Sequence, residues 1–204
     1  MKLTFSPTSP FARKVRIAAI ELHLNDRIEL VPTTTSPGQA ISEYSLVTPL
    51  KKLPVLITDE GDTILDSYVI VEYLNELANG SLIPANGARR WRVKSDHCLV
   101  NGLIDSMVLC RYEKTLRPPE LQWQDWYDDH WTRVWNGLAW FERRSEALMN
   151  DPLDLAQIAL VCMLDYVDFR FADCGWRQAY PGLSAFYRRM QERPSVTMTA
   201  PPPA

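Results

Sequence analysis

The chain has no excess of positive charge, no cysteines at redox or metal spacing, and no long apolar run. Its 22 lysines and arginines are outnumbered by 25 acidic residues, giving a net charge of -3. Binding to nucleic acid needs a basic surface that neutralises phosphates, so nucleic acid is not expected as the partner. Cys98, Cys110, Cys162 and Cys174 form no C-x-x-C pair, which argues against a zinc ribbon or dithiol chemistry. His23, His97 and His130 are far apart and lack the spacing of metal ligands. No metal site is therefore expected. No apolar stretch approaches the roughly 20 residues that cross a bilayer. The chain opens directly into a strand-like Lys2-Leu3-Thr4-Phe5. The expectation is a cytoplasmic protein with reduced thiols and no membrane association.

What is present divides in two. The 204 residues are 46% hydrophobic and 23% charged, an ordinary globular composition with enough chain for two small domains. Residues 1–78 read as a mixed α/β unit. Leu3 and Phe5 alternate with polar neighbours, as in a short strand. Ser9-Pro10 suits a helix start, with Ser as N-cap and Pro in the first turn. Phe11, Val15, Ala18, Ala19 and Leu22 follow at helical spacing. Ile28 to Val31 is a second strand, stopped by Pro32, and Thr33 to Thr48 is polar and weakly patterned. Pro54 to Ile57 reads as a buried strand. Asp59 to Asp62 is a turn, and Thr63 to Leu65 its hairpin partner. Asp66-Ser67 then caps a helix with Val69, Ile70, Tyr73, Leu74 and Leu77 on one face.

Residues 79–87, rich in Gly, Asn and Pro, read as a linker. Beyond it, in residues 88–204, strand signals vanish, and all seven tryptophans lie there. Ala88 to Leu116 reads as one long helix ended by Pro118-Pro119, and Gln122 to Met149 as a second. Asp154 and Gln157 have the spacing of a capping box. The segment that follows, Leu155 to Leu164, is apolar on nearly every face, as a helix buried among others should be. Pro181 to Gln191 makes a fourth helix, and the proline-rich end Ala200 to Ala204 is expected to be extended.

Several of these segments resemble known motifs. Ser9-Pro10-Phe11-Ala12-Arg13-Lys14-Val15, Leu53-Pro54-Val55-Leu56 and Leu65-Asp66-Ser67 resemble, in order, three motifs of the glutathione transferase superfamily. The capped helix after Asp154 and the run Glu192-Arg193-Pro194-Ser195-Val196 are similar to its C-terminal landmarks. The Ser-Pro-Phe start looks closest to a bacterial branch, and unlike the Tyr-dependent animal classes. Five motifs in register over nearly the whole chain are specific for a fold and much less so for a reaction. The resemblance implies a thioredoxin-like domain over 1–78 that binds glutathione, and an all-α domain over 88–204 with the electrophile cleft. It also implies a homodimer with glutathione and a small electrophile as partners.

The same resemblance assigns roles, each with a plainer alternative. Leu53, before a cis Pro54, would bond the cysteinyl unit of glutathione through its main chain, as in strand addition; otherwise Pro54 is an ordinary strand start. Asp66 and Ser67 would grip the γ-glutamyl end at a helix N-terminus, or simply cap that helix. Ser9 would donate to the glutathione sulfur and favour the thiolate. Ser6 and Thr8 are rivals for that contact, and capping is the plainer role. Phe11 belongs to the same motif and counts among the binding residues. Lys52 could reach the glycyl carboxylate, although Thr48 and Lys51 replace the Asn and Gly usual before and after Pro49-Leu50. Asn101, Asp105 and Tyr112, at helical spacing, are candidates to meet the second substrate. Three functions stay open: conjugation to an electrophile, glutathione-dependent peroxide reduction, and a non-catalytic binding module.

Overall fold

The computed structural model describes residues 1–35, 37 and 44–202. The middle of the weakly patterned 33–48 stretch and the last two residues of the expected extended end lie outside them. The chain divides into two compact units. One comprises Met1–Ala85 together with Pro194–Pro202, and the other Asn86–Arg193.

In the first unit the elements are β1 (Lys2–Phe5), α1 (Pro10–Glu21), β2 (Glu29–Pro32), α2 (Tyr44–Val47), β3 (Val55–Ile57), β4 (Thr63–Ile64) and α3 (Ser67–Leu77). The sheet runs β2-β1-β3-β4. β1 and β2 are parallel, with Leu3 opposite Leu30, and α1 makes the crossover between them. β1 pairs antiparallel with β3, Leu3 against Leu56, and β3 antiparallel with β4, Leu56 against Ile64. The core is apolar and close-packed: Leu3, Val15, Ala18, Val55, Leu56, Ile70, Val71 and Leu74 are fully buried.

Residues Pro194–Pro202, which the sequence assigns to the helical half, group with this first unit. The cause is Arg13, which is buried. Its Nη2 donates to the Val196 carbonyl at 3.1 Å and its Nε to the Thr199 hydroxyl at 3.4 Å. A buried guanidinium must find acceptors, and the short helix α10 (Pro194–Thr197) carries them. The Ser195 hydroxyl donates to Glu21 on the same helix as Arg13. The 79–87 segment is anchored as well: Asn75 Oδ1 accepts from the Leu82 N–H at 2.9 Å, and Leu82 and Ile83 are buried.

The second unit is helical, with α4 (Gly87–Thr115), α5 (Gln124–Glu142), α6 (Ser145–Asn150), α7 (Leu155–Arg170), α8 (Trp176–Ala179) and α9 (Pro181–Gln191). α7 is buried on almost every side from Leu155 to Leu164 and continues to Arg170, beyond the expected end. Both capping-box bonds form: Gln157 N–H to Asp154 at 3.1 Å and Asp154 N–H to Gln157 at 3.2 Å.

The single helix expected over 122–149 is broken between Glu142 and Ser145. Two tertiary contacts cause the break. Arg144 forks onto Asp96 of α4 with two 2.7 Å bonds. Glu142 accepts from the Gly182 and Leu183 N–H groups at 2.9 and 2.7 Å, capping α9. Helix propensity of a few tenths of a kcal/mol per residue yields to contacts of that strength. No helix among the described residues is long and apolar enough to cross a membrane.

Candidate functional site

The topology of the first unit sends three motifs to one end of its sheet. β1 leaves that end through Phe5 and leads into Ser9. β3 runs the opposite way and enters from Leu53-Pro54. β4 is antiparallel to β3 and exits into Asp66-Ser67. α1 and α3 both begin there. Neither carries an acidic residue in its first turn; α1 is capped by the neutral Ser9, so its positive end has no carboxylate of its own, whereas α3 starts from the Asp66 carboxylate.

Ser9 is the N-cap of α1, half-buried, with its Oγ accepting from the Ala12 N–H at 3.2 Å. This is the capping role, and it leaves the Ser9 hydroxyl proton to donate elsewhere, since a hydroxyl both accepts and donates. The rival hydroxyls of Ser6 and Thr8 bond to each other at 3.1 Å, and Ser6 Oγ also accepts from the Thr8 N–H at 3.4 Å. Phe11 is half-buried in the first turn, with Lys14 Nζ 5.7 Å from its ring centre.

The Leu53-Pro54 bond is cis. Pairing of β3 with β1 ends at Val55 opposite Thr4, so the Leu53 main chain runs past the ladder. A network fixes its course. The Thr4 hydroxyl accepts from the Val55 N–H at 3.1 Å and lies 2.9 Å from the Tyr44 hydroxyl. Tyr44 in turn donates to the Lys52 carbonyl at 3.2 Å. Burial pushes the Tyr44 pKa up, partly offset by the Thr4 bond, so the phenol stays a neutral donor near pH 7. Sequence reading missed Thr4 and Tyr44. They lie 40 residues apart, and no short-range pattern links them.

At α3, Asp66 caps the helix by accepting from the Tyr68 N–H at 2.8 Å, and its side chain is exposed. Ser67 is buried at 2% exposure. Lys52 is exposed. Lys51, where the related pattern has Gly, adopts φ of 51°. That left-handed conformation suits a residue without Cβ, which gives a physical reason for Gly at this position.

Asn101, Asp105 and Tyr112 lie on α4 of the second unit. Asn101 and Tyr112 are half-buried and Asp105 is exposed. Ser9, Leu53, Pro54, Asp66 and Ser67 all lie in the first unit. Among the described residues, no cluster of three or more His, Cys, Asp or Glu could hold a metal ion.

The chain is similar to known proteins over most of its length. Residues 8–77 match the glutathione S-transferase N-terminal domain, and residues 124–189 the glutathione S-transferase C-terminal domain. The chain is 31% identical, over the whole of both proteins, to the uncharacterized GST-like protein YibF of Escherichia coli strain K12. A glutathione transferase family member from Pseudomonas fluorescens Pf-5, crystallised with glutathione, is 37% identical over 98% of both chains with a TM-score of 0.95. A structure from the same source holds S-(propanoic acid)-glutathione, with a TM-score of 0.90 over 99% of this chain and 100% of that one. A glutathione S-transferase from Methylobacillus flagellatus KT with glutathione bound is 33% identical, with a TM-score of 0.87 over 98% of this chain and 99% of that one. The chain belongs to the glutathione S-transferase family.

Lys51 offers a stability test. Lys51→Gly removes the left-handed cost of about 1–2 kcal/mol, offset by a gain in unfolded-chain entropy of about 0.4–1 kcal/mol. The expected result in urea denaturation is a net gain of about 1 kcal/mol with an unchanged slope. A loss of stability would mean that the lysine side chain contributes more than its backbone costs.

Proposed function

We propose that the first unit binds glutathione and that Ser9 stabilises its thiolate for attack on a small electrophile. The observation that carries this reading is the convergence of Ser9, Leu53-Pro54 and Asp66-Ser67 at one sheet end, beside two helix N-termini. Glutathione is a tripeptide with an anionic end, a thiol and a peptide backbone. Each of those parts has a counterpart there.

The Leu53 main chain bonds the cysteinyl unit as an added strand would. The Ser67 hydroxyl and the first N–H groups of α3 take the γ-glutamyl carboxylate. Asp66 pairs with the ammonium, and Lys52 reaches the glycyl carboxylate. Ser9 donates its free proton to sulfur while its oxygen keeps the Ala12 bond. The positive end of α1 lowers the cost of the negative sulfur, so a larger thiolate fraction is present near neutral pH. The sulfur then forms a carbon–sulfur bond with the electrophile, and no covalent protein intermediate is needed. With Ser at position 9, a mixed disulfide at that position is not part of the cycle. Asn101, Asp105 and Tyr112 are the proposed contacts for the second substrate. Three structures of two relatives, holding glutathione or its conjugate, support the choice of co-substrate.

Three outcomes are expected. Calorimetry should detect glutathione binding, with Asp66→Ala and Ser67→Ala each weakening it about tenfold or more, as loss of a charge-assisted hydrogen bond of about 1.5–3 kcal/mol requires. Unchanged affinity in both variants would remove the assigned pocket. Ser9→Ala should raise the pKa of bound glutathione, read by ultraviolet thiolate titration, and slow conjugation roughly ten- to a hundredfold. Glutathione affinity should change less. If only folding stability falls, by about 1 kcal/mol, Ser9 is a cap and nothing more.

The chain is also proposed to form a symmetric homodimer. Trp91, 68% exposed at the start of α4, is a large apolar group available to a second copy. A monomer in sedimentation velocity at micromolar concentration would count against this.

A further inference from the structure

The second unit holds a group of side chains of which the reading above uses only Tyr112. α4 carries Arg111 and Tyr112; α7 carries Tyr166 and, one turn on, Arg170. Arg111 and Arg170 lie close enough for their charges to act on each other and on the Tyr166 hydroxyl. Tyr112 shares the same field. Tyr166 is 7% exposed, and the other three are half-buried. The Arg170 guanidinium sits 3.7 Å from the centre of the Phe169 ring, and its Nε is buried with no hydrogen-bond partner.

Two cations so placed repel one another. Burial, and then the charge of Arg111, push the Arg170 pKa down. Proteins ordinarily pair such charges with carboxylates. Among the described residues neither guanidinium has one. The nearby acids on the same helices are engaged elsewhere. Asp165 accepts from the Tyr187 hydroxyl at 2.7 Å and from Gln191 at 3.0 Å. Asp168 takes Trp176 Nε1 at 2.8 Å and Arg177. Glu113 takes Arg117 and the Trp123 N–H, both at 2.7 Å. Asp105, two turns before Tyr112, is engaged as well.

The cluster thus combines two planar guanidinium forks, two phenols and an aromatic wall, with positive charge unanswered. Guanidinium forks match carboxylate geometry. Burial pushes the Tyr166 pKa up, so its phenol remains protonated and able to donate near neutral pH. Phe169 and the two tyrosine rings suit an unsaturated or aromatic body behind the carboxylate.

We infer that Arg111, Tyr112, Tyr166 and Arg170 form a binding site for the carboxylate of a small aromatic or unsaturated acid, and that such an acid is the electrophile. The second clause rests on the proposed function; the first does not. With an aryl chloride as probe, the thiolate sulfur forms a bond to the ring carbon that bears chlorine. Chloride departs with the electron pair of the broken bond, and the thiol proton goes to solvent.

The test uses 4-chloro-3-nitrobenzoate and its methyl ester, with Arg111→Gln and Arg170→Gln. Calorimetry without glutathione reads the site itself. Wild type should bind the acid at least tenfold more tightly than the ester, and each variant should lose that preference. Steady-state kinetics read the electrophile assignment: KM for the acid should rise at least tenfold in each variant, with KM for the ester changing less than twofold. Glutathione affinity should stay unchanged in both. Since each substitution removes a repelling charge, neither should lower the melting midpoint of the ligand-free protein. Equal binding of acid and ester by wild type, or acid binding unaltered in the variants, overturns the site. A site that binds the acid without any effect on its KM overturns the electrophile assignment alone. Failure of wild type to bind glutathione overturns the proposed function and leaves the acid-binding measurement to stand or fall separately.

Discussion

The antiparallel pairing of β1 with β3 is the constraint on which the candidate site depends. Antiparallel direction makes the end of β1 and the start of β3 neighbours, so the chain leaves one strand toward Ser9 where it enters the other from Leu53. Thr4 and Val55, opposite each other at the last pair, are tied by a side-chain bond as well as by the ladder. Tyr44 extends that tie to Lys52. A one-residue slip would move every core side chain of β3 to the other face. It would also displace Leu53 from the helix starts at Ser9 and Asp66. Register in this small sheet therefore sets both the packing of Leu3 and Leu56 and the geometry of the site.

Short-range physics was legible in the sequence. Ser9-Pro10, Asp66-Ser67 and the Asp154–Gln157 box are interactions within three residues, and each forms a cap where its residues stand. The alternation of Leu3 and Phe5 and the apolar run at Pro54 gave the strands for the same reason. What stayed hidden depends on partners far along the chain. The break between α5 and α6 is caused by Asp96 and by the N–H groups of Gly182 and Leu183, about 40 residues or more away. The bonds of Arg13 to Val196 and Thr199 cross more than 180 residues. No local pattern announces such a bond, because each partner alone reads as an ordinary polar or charged residue. The site residues themselves were reached through a family resemblance. The pairing of Thr4 with Tyr44 and the arginine cluster were reached only through the fold.

The two units handle charge differently. In the first, buried Arg13 is answered by a carbonyl and a hydroxyl from its own unit, and the start of α1 carries no carboxylate of its own. In the second, Asp96, Glu113, Asp154 and Asp168 each hold a cationic partner. Against that background of paired charges, Arg111 and Arg170 stand out.

The route of the chain through the first unit has a consequence for its synthesis. That unit begins at Met1 but includes Pro194–Pro202. A ribosome releases the strands and α1 early, yet the Val196 carbonyl and Thr199 hydroxyl that Arg13 uses come only after all of α4 to α9 has emerged. Domains otherwise tend to fold in order of their emergence. Here the half made first is finished last, and its completion is coupled to the full length of the chain. A nascent protein stalled within the helical half would hold an Arg13 without those acceptors, and so a first unit short of its final stability.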